Sequence, residues 1–196
     1  MEQALAGDLL LIDVKENMNE GKTYYMFKYL ADVLFKTHRY RYVAKVDDDT
    51  YLHIPHFFSW MGREKNFSGS AGDAGGNVVF GGNIKERSFF YVGAFYGLST
   101  HLLLQVIGRV ELKYRGGKLE DQLFGAWVRL YGSDVADVRI DPSLMAMMRN
   151  NMQLEEQAEL VLGRSQQLVF FHGAKKITDW LYLYRRFRME LDMTEA

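Results

Sequence analysis

The sequence contains no cysteine. That excludes a disulfide framework and a thiolate metal site, and it leaves the redox compartment open. An excess of basic charge is absent too: 24 Lys and Arg stand against 25 Asp and Glu, for a formal net charge of −1. A nucleic-acid binder driven by bulk electrostatics is thereby excluded. The nearest basic cluster, Arg185-Arg186-Phe187-Arg188, reads as a solvated helix end. No apolar run reaches the roughly 20 residues of a membrane span, and no signal peptide is recognisable. GxGxxG, P-loop and nucleophile-elbow patterns are all missing. His38, His53, His56, His101 and His172 form no HxH or HExxH pattern, which argues against zinc.

What is present is ordinary globular composition, 48% hydrophobic and 25% charged over 196 residues. This predicts a single domain, 1–196, with a sizeable core. The chain opens into Leu9-Leu10-Leu11-Ile12-Asp13, an apolar strand ending in acid, so the expectation is a domain truncated at its N-terminus. Helical spacing of Tyr25, Phe27, Leu30, Val33 and Leu34 predicts a helix over 24–35, and Tyr42 to Val46 reads as a strand ending at Asp47. Pro55 marks a helix start. Residues 62–76 read as a loop containing the sequon Asn66-Phe67-Ser68, which leans toward a secretory setting.

Further strands are predicted over 78–80, 89–98, 135–140 and 168–171. Helices are predicted from the Ser99 cap through Val106, over 120–131, over 154–162 and over 179–187. Strands alternating with helices imply an α/β domain with a largely parallel central sheet flanked by helices. Ligands of such sheets sit at the carboxyl ends of strands, where two of these strands carry aspartate.

Three constellations bear chemistry. Asp47, Asp48 and Asp49 follow an apolar strand and precede an apolar segment. Adjacent carboxylates repel, so the cluster is either a solvated acidic turn or the seat of a hard divalent cation. Such a cation also binds a nucleotide diphosphate and neutralises it as it leaves. Glu120-Asp121 opens an amphipathic helix. Acids in a first turn suit the helix dipole by themselves; the functional alternative is a general base. His172 ends an apolar strand, as a hydrogen-bonded cap or as a ligand.

In this order the segments resemble the β-1,3-galactosyltransferase and β-1,3-N-acetylglucosaminyltransferase family, to which the fringe proteins are related. The similarity runs through Asp8-Leu9-Leu10, Asp13 and Lys22-Thr23, then Lys45-Val46-Asp47-Asp48-Asp49 with Thr50-Tyr51-Leu52. It continues through Gly93-Ala94-Phe95-Tyr96-Gly97-Leu98-Ser99, Glu120-Asp121-Gln122 with Gly125, and His172, over roughly residues 2–185. The resemblance implies a GT-A type nucleotide-sugar-binding fold, a UDP-sugar donor, Mn²⁺, a glycan or glycoconjugate acceptor, and inversion at the anomeric carbon. Galactose or N-acetylglucosamine would be the sugar moved, to give a β-1,3 linkage. Asp49 and His172 would be metal ligands, Lys45, Asp47 and Asp48 nucleotide-side contacts, and Asp121 the base, with Glu120 in reserve.

The resemblance further implies a type II membrane protein of the Golgi lumen, with its anchor upstream. Three departures stand out. The family's first strand would lie before Met1, the tryptophan-containing stretch is cut short between Arg87 and Phe90, and the family cysteines are absent. The rival expectations are a non-catalytic carbohydrate-binding domain on the same fold, or a metal-dependent nucleotidyl or phosphoryl transferase.

Overall fold

Alternation along the central strands decides how this chain layers. In the computed structural model, which describes residues 21–37, 40–67, 76–83, 91–111, 119–147 and 168–194, Val79, Tyr96 and Leu98 face one core while Val78, Phe80 and Phe95 face another. Period-two alternation with both faces apolar requires a cover on each side. Helix α1 (Lys22–Tyr29) supplies Tyr24 and Phe27 to the first core. The same core takes Leu102, Leu103 and Val106 from α3 (Thr100–Ile107) and Leu123, Phe124 and Trp127 from α4 (Glu120–Tyr131). On the other face lie Phe57 and Trp60 of α2 (Ile54–Arg63), with Phe67 beyond it.

The main sheet has the order β1-β4-β3-β5, built from β1 (Tyr42–Val46), β3 (Val78–Asn83), β4 (Tyr91–Ser99) and β5 (Ala136–Ile140). A smaller sheet has the order β2-β7-β6, from β2 (Thr50–Leu52), β6 (Met145–Met147) and β7 (Phe170–His172). The expectation of a largely parallel sheet is corrected here. Strand β4 runs antiparallel to both β1 and β3, and β2 runs antiparallel to β7. Only β3–β5 and β6–β7 are parallel among the described residues. The reason lies in the connections: residues 84–90 between β3 and β4 are too few for the crossover that a parallel pair needs. The fold is mixed α/β.

Several elements match their sequence signals. Strand β1 and helix α4 have the predicted bounds, and Ser99 caps α3 by accepting from the Leu102 amide. Helix α2 opens at Ile54-Pro55, with His53 as its cap. The predicted 24–35 helix is instead α1 followed by a π-helical turn, Leu30–Leu34, and a short end, Phe35–Thr37. The wide turn lets Leu30 and Phe35, five residues apart, both pack on the first core. The last helix, α5 (Ile177–Thr194), starts before Asp179, whose carboxylate accepts from the Lys176 amide at 2.9 Å and so satisfies a backbone donor at the helix start. The predicted strand 9–13, the predicted helix 154–162 and the shortened stretch 87–90 lie outside the described residues, as does most of the predicted 62–76 loop.

Gly97 is where the sheet needs the smallest residue. A Cβ there would stand 2.6 Å from the Val43 carbonyl oxygen and against the edge of the Phe80 ring. Phe80 crosses β4 at this point, its register partner being Gly97.

Candidate active site

Strand β1 ends where the main sheet gives way to the small one, and the acidic turn fills the step. The Asp47 amide bonds to Ala94 O at 3.0 Å, and the Thr50 amide returns to Asp47 O at 3.0 Å, closing a tight turn. The Asp49 carbonyl then accepts from both Gly173 and Ala174 amides, at 2.8 and 2.9 Å. Gly173 has φ 103°, a left-handed conformation that suits glycine and turns the chain immediately after His172. The acidic turn and the end of β7 are thus tied together by backbone.

That tie sets the side chains. Thr50 pairs directly with His172 across β2 and β7, and Thr50 Oγ1 lies 2.9 Å from His172 Nδ1. Asp49 Oδ1 is 3.1 Å from the same nitrogen. Asp47, Asp49 and His172 each present one donor atom within 4.8 Å of the others. Carboxylate oxygens with an imidazole nitrogen, none of them fully buried, suit a divalent cation of the Mg²⁺ to Mn²⁺ type.

Facing the turn is the first turn of α4. Glu120 is buried: its Oε1 lies 2.5 Å from Lys45 Nζ, and its Oε2 accepts from the Thr23 hydroxyl. Lys45 Nζ also donates to Asp47 Oδ1 and, at 2.8 Å, to Gly93 O. It stands 5.5 Å from the centre of the Tyr96 ring, within cation–π reach. Asp121 is held differently. Its Oδ1 accepts from the Gln122 amide at 2.7 Å, and its Oδ2 lies 3.5 Å from where a Cβ of Gly93 would be. Partial burial raises the Asp121 carboxyl above its ordinary value; the Gln122 amide works against this shift and the Glu120 charge adds to it.

All seven sequence-derived candidates, Lys45, Asp47, Asp48, Asp49, Glu120, Asp121 and His172, line one cavity of about 300 Å³, together with Lys22, Gly93 and Leu119. The volume is at the lower end of the ~300–1,000 Å³ typical of small-ligand sites. Two things lay beyond the sequence reading. Asp47, expected on the nucleotide side, stands with Asp49 and His172 in the donor group. Thr23 and Thr50 support Glu120 and His172 from across the fold, and only their position inside landmark segments hinted at it.

The galactosyltransferase family model matches residues 1–139. The match covers the acidic turn, Lys45, Glu120 and Asp121, and stops before His172. No curated protein matches the chain. With well over half of its length matched, the chain belongs to the galactosyltransferase family and is a glycosyltransferase.

Proposed function

We propose that this glycosyltransferase moves galactose or N-acetylglucosamine from a UDP-sugar to a sugar hydroxyl of a glycan acceptor, with inversion and a β-1,3 linkage. The observation that carries the reading is the shared cavity, with Asp47, Asp49 and His172 on one wall and the half-buried Asp121 on another. A donor's diphosphate and an acceptor's hydroxyl need those two kinds of wall at once.

In this reading Asp49 and His172 hold Mn²⁺, with Asp47 within reach of it, and Asp47 and Asp48 face the nucleotide. A cation so held supplies Lewis-acid neutralisation of the charge on the departing diphosphate. Asp121 accepts the proton of the attacking hydroxyl, and its raised proton affinity makes it the better base. The oxygen forms its bond to the anomeric carbon as the UDP oxygen leaves from the opposite face. Holding the two reactants in line removes much of the entropic barrier. A Golgi-lumen location with an upstream anchor follows from the same reading; among the described residues no helix is long and apolar enough to cross a membrane.

The test is a panel of UDP-sugars with Mn²⁺ and the purified full-length protein, with and without sugar acceptors. UDP release that requires an acceptor is expected. Nucleotide turnover indifferent to acceptor would point to nucleotidyl or phosphoryl transfer, and absence of Mn²⁺ and UDP binding would overturn the reading.

A further inference from the structure

Lys45 sits in the cavity wall beside three acidic residues, where a lysine is readily taken for a phosphate contact. Its surroundings argue otherwise. An ammonium has three N–H donors. Lys45 Nζ has three acceptors within the protein: Glu120 Oε1, Asp47 Oδ1 and the Gly93 carbonyl. The side chain is 13% exposed and that of Glu120 is 11% exposed, whereas Asp47 is 32% exposed. The other Glu120 oxygen is taken by the buried Thr23 hydroxyl at the start of α1.

We propose that Lys45 and Glu120 form a positioning strut, in which the Lys45 ammonium joins the first turn of α4 to Asp47 and fixes that carboxylate in the cavity. Neither residue is a catalytic residue. Glu120 is buried with both oxygens hydrogen-bonded inside the fold, one of them to an ammonium, so the proton-accepting role stays with its more exposed neighbour Asp121. Lys45 spends its donors on the protein, so it acts on the nucleotide side only through Asp47. The inference deepens the proposed function and rests on that reading for the role given to Asp47.

The strut has two geometric consequences. Asp121 shares the first turn of α4 with Glu120, so the element that presents the base is tied directly to the turn that presents the cation donors. The strut also balances charge. Glu120 and Asp47 share one ammonium, which leaves Asp47 only partly neutralised and still able to attract a cation. Replacing Glu120 by an amide would concentrate Lys45 on Asp47, leaving Lys45 a neutral oxygen in place of a charged one at this end of the strut.

The experiment pairs two measurements on Lys45→Met, Glu120→Gln and the double variant. Thermal melting in EDTA reads the strut without cation or donor. Each single variant is expected to melt roughly 5–15 °C lower: Lys45→Met leaves the buried Glu120 carboxylate without a cation, and Glu120→Gln removes one of the two carboxylates that balance the buried ammonium. The double variant should lose clearly less than the two losses added. Mn²⁺ affinity, measured by calorimetry without donor, should fall about tenfold in Glu120→Gln, as for other groups that orient metal ligands.

Strictly additive melting losses would overturn the strut. So would a Glu120→Gln variant that binds Mn²⁺ as tightly as wild type while losing turnover, which would make Glu120 a base. Should Lys45→Met not fold, Lys45→Arg serves in its place: a planar guanidinium cannot meet the three acceptors in the same way, and unchanged melting and Mn²⁺ affinity would count against the proposal. Failure of the functional reading looks different, since wild type would then bind no Mn²⁺ while the melting cycle in EDTA still showed coupling.

Discussion

Thr50 and His172, 122 residues apart, stand as direct partners across the antiparallel β2–β7 pair, with 2.9 Å between Thr50 Oγ1 and His172 Nδ1. The hydroxyl holds the imidazole in place while Asp49 approaches the same nitrogen at 3.1 Å. An imidazole offered to a cation binds best when its orientation is fixed beforehand. Thr50→Val keeps the β-branched shape and removes the hydroxyl. Mn²⁺ affinity measured by calorimetry should fall about 10-fold or more, with a melting temperature close to wild type. An unchanged affinity would remove Thr50 from the site's support.

Asp121→Asn separates chemistry from binding. Transfer should fall by about 10²–10⁴-fold, the range of a lost general base. Mn²⁺ and UDP binding should persist, since Asp121 is not among the clustered donors. Near-wild-type transfer by this variant would reassign the base.

The same substitution carries a stability signature. Burial raises the folded-state Asp121 carboxyl above 3.8, so between 3.8 and that raised value the folded chain holds the extra proton. Stability therefore declines as pH rises through this window, and the ionised group remains a cost at neutral pH. Asp121→Asn removes the cost: without metal it should melt higher than wild type at pH 7, with the gap closing as pH drops below 3.8. A variant less stable than wild type at pH 7 would contradict the burial argument.

Helix α4 was legible residue by residue because Leu123, Phe124 and Trp127 recur at helical spacing behind two first-turn acids. Strand β1 was legible as five residues between an exposed segment and an acid. Strands β2 and β6 carry three residues each, too few for any period to show. Strand direction was missed because alternation reports which face is buried, not which way the neighbour runs. The short 84–90 connection was the available clue. Within the site, the acids announced themselves by clustering, but their gathering with His172 depends on the β2–β7 register and on amide bonds from Gly173 and Ala174 to Asp49 O. Such long-range pairings leave little local trace.

Packing gives a prediction independent of catalysis. Gly97→Ala would place a methyl 2.6 Å from the Val43 carbonyl oxygen and against the Phe80 ring edge. Phe80 is 1% exposed in the second core and has nowhere to retreat, so β1 and β4 must separate or the ring must leave its place. Overpacking of this kind costs about 1–3 kcal/mol or more. Denaturant unfolding should show that loss, and a change within a few tenths of a kcal/mol would mean the sheet yields more easily than its geometry implies.

The pH dependence of stability should carry a histidine contribution from the seam between α2 and α5. His53 caps α2, its Nδ1 accepting from the His56 amide at 3.3 Å, and its ring stacks on Phe187 with centroids 4.6 Å apart. Burial, and then the nearby His56, push its pKa from 6.5 down to about 4. Protonation would also turn the capping nitrogen from acceptor into donor.

Between pH 6.5 and about 4 the unfolded chain therefore binds more protons at this residue than the folded one does. The contribution is fully present above 6.5 and is lost as pH falls through that window. After allowance for solvent screening it amounts to about 1–2 kcal/mol, or roughly 2–8 °C of melting temperature. His53→Asn retains a capping oxygen and cannot titrate. Subtracting its melting curve from wild type across pH 4–7 should isolate a downward slope toward acid in the wild-type protein alone; parallel curves would show that His53 is not held neutral.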